Sequence, residues 1–224
     1  LGYLNHEGVV KNTGYQRYNM RFNSDVNILP KLTMYTNVGF VYSVADLKNF
    51  GTNTNVNPIY ASLLKSPMYA PRLRDNQGNE ISVLSDVDEF GFSNPTAIIQ
   101  NSESSVYDSR LFANTRLNYR LNDTWDVSSM INVHYSNSRI SNFLPDYGLD
   151  AFNDGEYNNK AGNGIEKMYT LVNDSRLEYS QVVDQVHFWD GFLGTRFQMK
   201  DWETDMGTVY DTPTDEFKSL SSVT

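Results

Sequence analysis

Cysteine is absent from all 224 residues, which removes disulfide scaffolds and thiolate metal sites. A basic surplus is absent too, since the formal net charge is -9. Phosphate recognition needs a basic footprint, so nucleic acid is excluded as a partner. No apolar run approaches the ~18 residues that mark a membrane helix, and mean hydropathy is -0.52. Strands remain free to cross a membrane, because a transmembrane strand needs only ~10 alternating residues and barely moves the hydropathy. Leu1 is followed at once by polar, strand-like sequence, without the basic start and apolar stretch of a signal peptide. The first residues read as the middle of a domain, so the chain reads as an internal piece of a longer protein. No GxSxG, HExxH or phosphate-cradling Gly-rich loop occurs. The three histidines, His6, His134 and His187, are isolated in strand-like sequence and read as structural. We therefore expect neither an enzyme nor a cofactor.

What the chain has is Asn and aromatic residues, the latter 13 % of the total with 15 Tyr among them. Tyr suits pleated, half-buried surfaces, and Asn suits turns. Residues 18–28 read YNMRFNSDVNI. Tyr18, Met20, Phe22, Ser24, Val26 and Ile28 alternate with Asn19, Arg21, Asn23, Asp25 and Asn27. Successive strand side chains point to opposite sides, so this is a two-faced ribbon. In a soluble sandwich the apolar face meets a core. In an outer-membrane barrel it meets lipid, and the polar face lines a lumen.

The same alternation returns along the chain. It predicts strands over residues 1–11, 15–28, 32–45, 107–121, 125–138, 168–179 and 185–200, with a turn-rich acidic tail after Trp202. The predicted strands of about 14 to 16 residues exceed the globular norm of ~5–6. At ~3.4 Å per residue they reach ~50 Å, enough to cross a ~30 Å hydrocarbon layer with tilt. Tyr18, Tyr42, Tyr107, Tyr119, Trp125, Tyr135 and Tyr179 lie near the ends of the apolar faces, where an interfacial girdle belongs. Long and short connections mostly alternate, as in barrels with short periplasmic turns and long outer loops. The long ones are expected at residues 46–105 and 140–166, the first carrying a short helix at 58–65 with Asn57 as N-cap.

Several side chains are candidates for binding. Arg17, Arg21, Arg110, Arg116 and Arg120 fall on one polar face. They read as lumen-facing groups for an acidic plug or an oxygen-rich solute, or simply as the wet face of a sheet. Tyr60, Tyr69, Tyr147, Phe152 and Tyr157 are loop aromatics that suit a ligand or partner contact, or pack the loops themselves. Asp146, Asp150, Asp154 and Glu156 form one acidic cluster, and Asp211, Asp215 and Glu216 another. Neither has EF-hand spacing, so both read as solvated loops, with Ca²⁺ as the weaker reading.

The opening GYLNHEGVVKNTGYQRYNMRFNSD resembles a strand–turn–strand segment of SusC/RagA-family TonB-dependent transporters of Bacteroidetes. The match runs through Gly2-Tyr3, Glu7-Gly8, Val9-Val10, Lys11-Asn12-Thr13-Gly14-Tyr15 and Arg17-Tyr18. Residues 57–71, NPIYASLLKSPMYAP, are similar to the family's Asn-Pro helix and Ser-Pro loop, and Asp75–Asn79 and Asn94-Pro95 continue it.

The resemblance implies an all-β, antiparallel up-and-down meander that is part of a transmembrane β-barrel of about 22 strands. It implies residence in the bacterial outer membrane, in contact with its lipid. It further implies import of oligosaccharide or peptide fragments, with a SusD-like surface lipoprotein as lid. TonB–ExbB–ExbD would supply energy through an N-terminal plug part that this stretch does not include. The alternative from the residues alone is a soluble all-β carbohydrate-binding or adhesin module.

Overall fold

The structure, a computed structural model, describes residues 1–48, 56–149 and 159–218. Alternation gives long strands. They are β1 (Gly2–Glu7), β2 (Gly14–Leu29), β3 (Leu32–Asp46), β6 (Glu103–Arg120), β7 (Trp125–Leu144), β8 (Lys160–Val183) and β9 (His187–Tyr210). Between β3 and β6 lie the helix α1 (Pro58–Leu64), the hairpin β4 (Arg72–Arg74) and β5 (Glu80–Leu84), and the helix α2 (Pro95–Asn101). The long strands form one seven-stranded sheet in the order β1-β2-β3-β6-β7-β8-β9, every neighbouring pair antiparallel. It is an up-and-down meander, as expected. It is also open, since β1 and β9 are its two edges.

Register fixes what each face carries. One transverse row runs Phe22, Val38, Ala113, Val133, Leu171, Met199 from β2 to β9. The adjacent row on the opposite face runs Asn23, Asn37, Asn114, Asn132, Val172, Gln198. A one-residue slip would exchange the faces, so this pattern pins the pairing.

No second layer covers the apolar face among the described residues, and Phe22, Ile131 and Phe197 are exposed on it. The accessible surface is 15019 Å², against about 10,000 Å² for a globular chain of this mass. The buried apolar cluster lies elsewhere, in the connections at one end. Val56, Ala61, Leu84, Ala97, Ile98, Leu144 and Leu149 pack together there, drawn from α1, β5, α2 and the end of β7 with the residues that follow it.

Three sequence-based boundaries are corrected. The expected loop over 140–166 is shorter, because β7 runs on to Leu144 and β8 begins at Lys160. The tail after Trp202 is still strand as far as Tyr210. The first strand ends at Glu7 instead of Lys11. In β7, β8 and β9 the strand keeps its ladder hydrogen bonds beyond the apolar band without needing alternation, so the periodic signal stops before the strand does. β1 is shorter because the chain enters the turn closed by the Gly8 amide on the Thr13 carbonyl.

Candidate functional site

Two surfaces qualify: the polar face of the sheet and the cap formed by the long connections. Register places Arg17, Arg21, Arg110, Arg116 and Arg120 on the polar face together. Arg110 pairs with Asp108 at 2.6 Å and Arg120 with Asp126 at 3.6 Å. Arg21 lies over the Phe112 ring at 5.7 Å, and Arg116 reaches the Met130 sulfur at 3.4 Å.

Sequence reading missed their continuation on β8 and β9. Arg196 meets Asp174 at 3.6 Å, Arg176 meets Glu178 at 3.1 Å, and Arg176 also covers the Phe192 ring at 4.6 Å. With Arg116 these groups line a shallow groove of about 430 Å³. Exposed pairs of this kind contribute ~0–1 kcal/mol each. Their role is to keep one face wettable and densely supplied with donors and acceptors. The signal was present in the even-numbered residues 174, 176 and 178, but the weaker alternation of β8 hid it.

The cap grows from helix caps. The Asn57 side chain accepts from the Ile59 amide at 3.0 Å, and Pro58 occupies the first helical position of α1, where its missing N–H costs nothing. Asn94 repeats the arrangement on α2, accepting from the Thr96 amide at 3.0 Å. It is fully buried. Its side-chain amide also donates to the carbonyls of Pro71 at 2.9 Å and Ser85 at 2.7 Å. Its backbone N–H reaches the Gly148 carbonyl at 2.7 Å. One residue thus ties α2, the two ends of the β4–β5 hairpin and the segment after β7.

A second anchor is the ion pair of Lys65 and Asp88 at 3.4 Å, with side chains only 7 % and 2 % exposed. Asp88 also accepts from the amides of Phe92 at 2.9 Å and Phe90 at 3.1 Å. Burial pushes its carboxyl pKa up. The Phe92 amide bond and the Lys65 charge outweigh that and hold it below the usual carboxylate range.

The loop aromatics separate by role. Tyr60 lies exposed on α1 with exposed Ile59, Leu63 and Leu64, and Met68 is exposed just after the helix. Tyr69 packs edge-on against Phe90, centroids 6.2 Å apart, and its hydroxyl donates to Glu89. That bond raises the phenol pKa to about 12. Tyr147 instead donates to the Leu84 carbonyl at 2.7 Å and ties the cap internally. Phe152, Tyr157, Asp150, Asp154 and Glu156 lie outside the described residues.

Asp146 lies close to residues of the other acidic stretch. Burial raises its pKa first, followed by the charges of Asp215, Asp86 and Asp211. Asp215 is occupied by the backbone, accepting from the Asp146 amide at 2.9 Å and the Tyr147 amide at 3.4 Å. Among the described residues no three acidic or histidine side chains are placed to hold a metal. No described helix is long and apolar enough to cross a membrane, which says nothing of strands.

Comparison with known proteins gives a consistent picture. No family model matches the sequence. The chain is 24 % identical over 198 residues to the TonB-dependent receptor P26 of Formosa agariphila, covering 88 % of this chain and 19 % of that protein. It is 24 % identical over 205 residues to the TonB-dependent receptor P39 of the same organism, covering 90 % of this chain and 18 % of that protein. The chain thus spans less than a fifth of the length of these relatives. The fold is similar to one stretch of the RagAB peptide importer in its closed-closed state, with TM-score 0.70 and 15 % identity, over 98 % of this chain and 24 % of that one. The open-open state gives TM-score 0.71 at the same identity and coverage.

Proposed function

We propose, from the likeness of this chain to one stretch of a SusC/RagA-like TonB-dependent transporter, that it forms part of the barrel wall of an outer-membrane nutrient importer. The apolar face meets lipid and the polar face lines the lumen. The long connections lie outside the cell and shape entry of peptide or glycan fragments. A surface lipoprotein docks on the cap, and TonB drives uptake through a part of the protein beyond this stretch.

The observation that carries this reading is the sheet itself. A single layer with one apolar and one polar face has no stable place in water, yet both faces are satisfied in a barrel wall. A soluble binding module would need a second layer over the apolar face, and no described element supplies one. The exposed patch of Ile59, Tyr60, Leu63 and Met68 suits a docking surface, since contiguous apolar patches on folded proteins mark interfaces.

The test is deletion of residues 57–71 in the full-length protein, with uptake of radiolabelled oligopeptides and oligosaccharides as readout. Uptake lost with the barrel still inserted supports an entry and docking role for the cap. Unchanged uptake refutes that role.

A further inference from the structure

On the apolar face, at the end carrying the long connections, lies a groove of about 590 Å³. Polar side chains, Ser109, Asn137 and Arg139, stand in it among aromatic and aliphatic ones. Tyr42, Tyr107, Ser109, Asn137, Arg139 and Ile165 line it. It sits in the interior of the sheet, on β3, β6, β7 and β8, away from both edges, so strands beyond this stretch are not needed to build it.

Its height is set by register. Tyr135 and Tyr169 face each other across β7 and β8, and Asn137 and Lys167 form the next pair outward on the same face. Arg139 follows, flanked by Tyr107 on β6 and Ile165 on β8. Aromatic girdles mark the boundary between hydrocarbon and headgroups. The groove therefore lies one step beyond the girdle, at headgroup level, on the outer side.

Its chemistry is specific. Lys167 is paired with Glu203 at 3.3 Å, whereas Arg139 makes no ion pair among the described residues. The carboxylates on β9, Glu203 and Asp205, stand beyond β8 from it, two strand spacings or ~10 Å away. An Arg guanidinium presents a planar fork that matches a phosphate bidentately. The Asn137 side-chain oxygen is buried without a partner. An orphaned buried acceptor calls for a donor, and a phosphate oxygen is not one, so an occupant that carries a hydroxyl or amide beside its phosphate would satisfy both groups.

We propose that this groove binds the headgroup of a phosphorylated glycolipid of the outer leaflet. Arg139 holds the phosphate, and Asn137 accepts from a sugar hydroxyl or amide. Tyr42 and Tyr107 flank the sugar, and the acyl chains run down over Phe40 and Leu111 in the row below. The inference rests on the barrel reading above.

The experiment uses the full-length transporter, purified from outer membranes and placed in nanodiscs containing lipid A, phosphatidylglycerol or phosphatidylcholine. Retained lipid is counted by native mass spectrometry. Lipid A retention above both comparators, falling about tenfold in Arg139→Glu and partly restored in Arg139→Lys, is expected from loss of one charge-assisted pair. Equal retention of phosphatidylglycerol and lipid A by the wild type overturns the glycolipid assignment, as does undiminished lipid A binding by Arg139→Glu. Should Arg139→Glu fail to insert, Asn137→Asp provides the same comparison, since it sets a carboxylate in the groove. Recovery of wild-type protein outside the membrane fraction instead defeats the barrel reading itself, so the two failures are distinguishable.

Discussion

Trp125 on β7 and Tyr179 on β8 stand directly opposite each other, ring centroids 4.9 Å apart, and Tyr135 and Tyr169 repeat the pairing ten residues along the same two strands. Between the two aromatic pairs the same face carries Val127, Ile131 and Val133 on β7 and Leu171 and Leu177 on β8, with Ser129, Ser175 and Asn173 hydrogen-bonded to one another among them. Ten residues span ~34 Å along a strand, and ~26 Å along a membrane normal when the strand tilts by ~40°. A barrel's apolar band is ~25 Å tall. Two girdles at that separation on one face match the height of such a band, and β7 and β8 run on beyond it.

A cation placed in the middle of that band should be costly on one face only. Val133→Arg is expected to destabilise the refolded full-length protein by ~2–4 kcal/mol. His134→Arg, one residue on but on the polar face, should change it by under ~1 kcal/mol. Urea titrations of tryptophan fluorescence in lipid vesicles compare the two. Equal costs would remove the distinction between the faces.

Asn94→Ala should loosen the cap and leave the sheet intact. The substitution removes a helix cap and strands the carbonyls of Pro71 and Ser85, an expected cost of ~1–3 kcal/mol. Asn94→Asp keeps the acceptor for the Thr96 amide and loses both donors, so it should be nearly as costly. Hydrogen exchange should speed up at residues 84–102 and stay unchanged in β6 and β7.

Acid should open the turn at residues 88–92 before the rest of the cap. The Asp88 pKa is held below its ordinary value of 3.8. Its contribution is therefore present above about pH 4 and is lost as pH falls through the lower folded-state value. The protection factors of the Phe90 and Phe92 amides, exchange relative to the unstructured rate at the same pH, should fall as pH drops below about 4. In Asp88→Asn the same amides should exchange without that pH dependence.

Charges on α1 and on the segment just after it should act on partner binding alone. Leu63 is 76 % exposed and Met68 91 % exposed, so Leu63→Glu together with Met68→Glu should change stability by under ~0.5 kcal/mol. Co-purification of a surface lipoprotein with the full-length protein should fall by about tenfold. Undiminished co-purification would take the docking surface away from α1.

Much of the wall was legible in the sequence, because in β2, β3 and β6 a single period of two sets every residue against solvent of one kind or the other. The α1 helix was legible too, through Asn57 and Pro58. The outer part of β8 was not. Gly162-Asn163-Gly164 has the composition of a turn, yet it continues the ladder opposite Asn142, Ser141 and Ile140. A Cβ at Gly162 would stand 2.5 Å from the Asn142 side-chain oxygen, so a larger residue there would turn the Asn142 side chain aside. The cap's core was hidden for another reason. Val56, Leu84, Ile98 and Leu149 lie far apart in sequence and in no common period, so only the tertiary arrangement brings them together. Arg139 lies just beyond the strand predicted over 125–138, and only the observed register against Tyr135 and Tyr169 places it and Asn137 on the apolar face and gives their height.

The most direct test of the two-faced wall is cysteine accessibility in intact cells, to which this stretch adds no native cysteine. Leu63→Cys, Val133→Cys and Asp123→Cys would each be introduced into the full-length protein and treated with a membrane-impermeant maleimide. The account predicts that position 63 reacts in intact cells and that position 123 reacts only after the outer membrane is permeabilised. Position 133 should react in neither case until the protein is unfolded. Equal labelling of all three positions in intact cells, or in a soluble fraction, would contradict it.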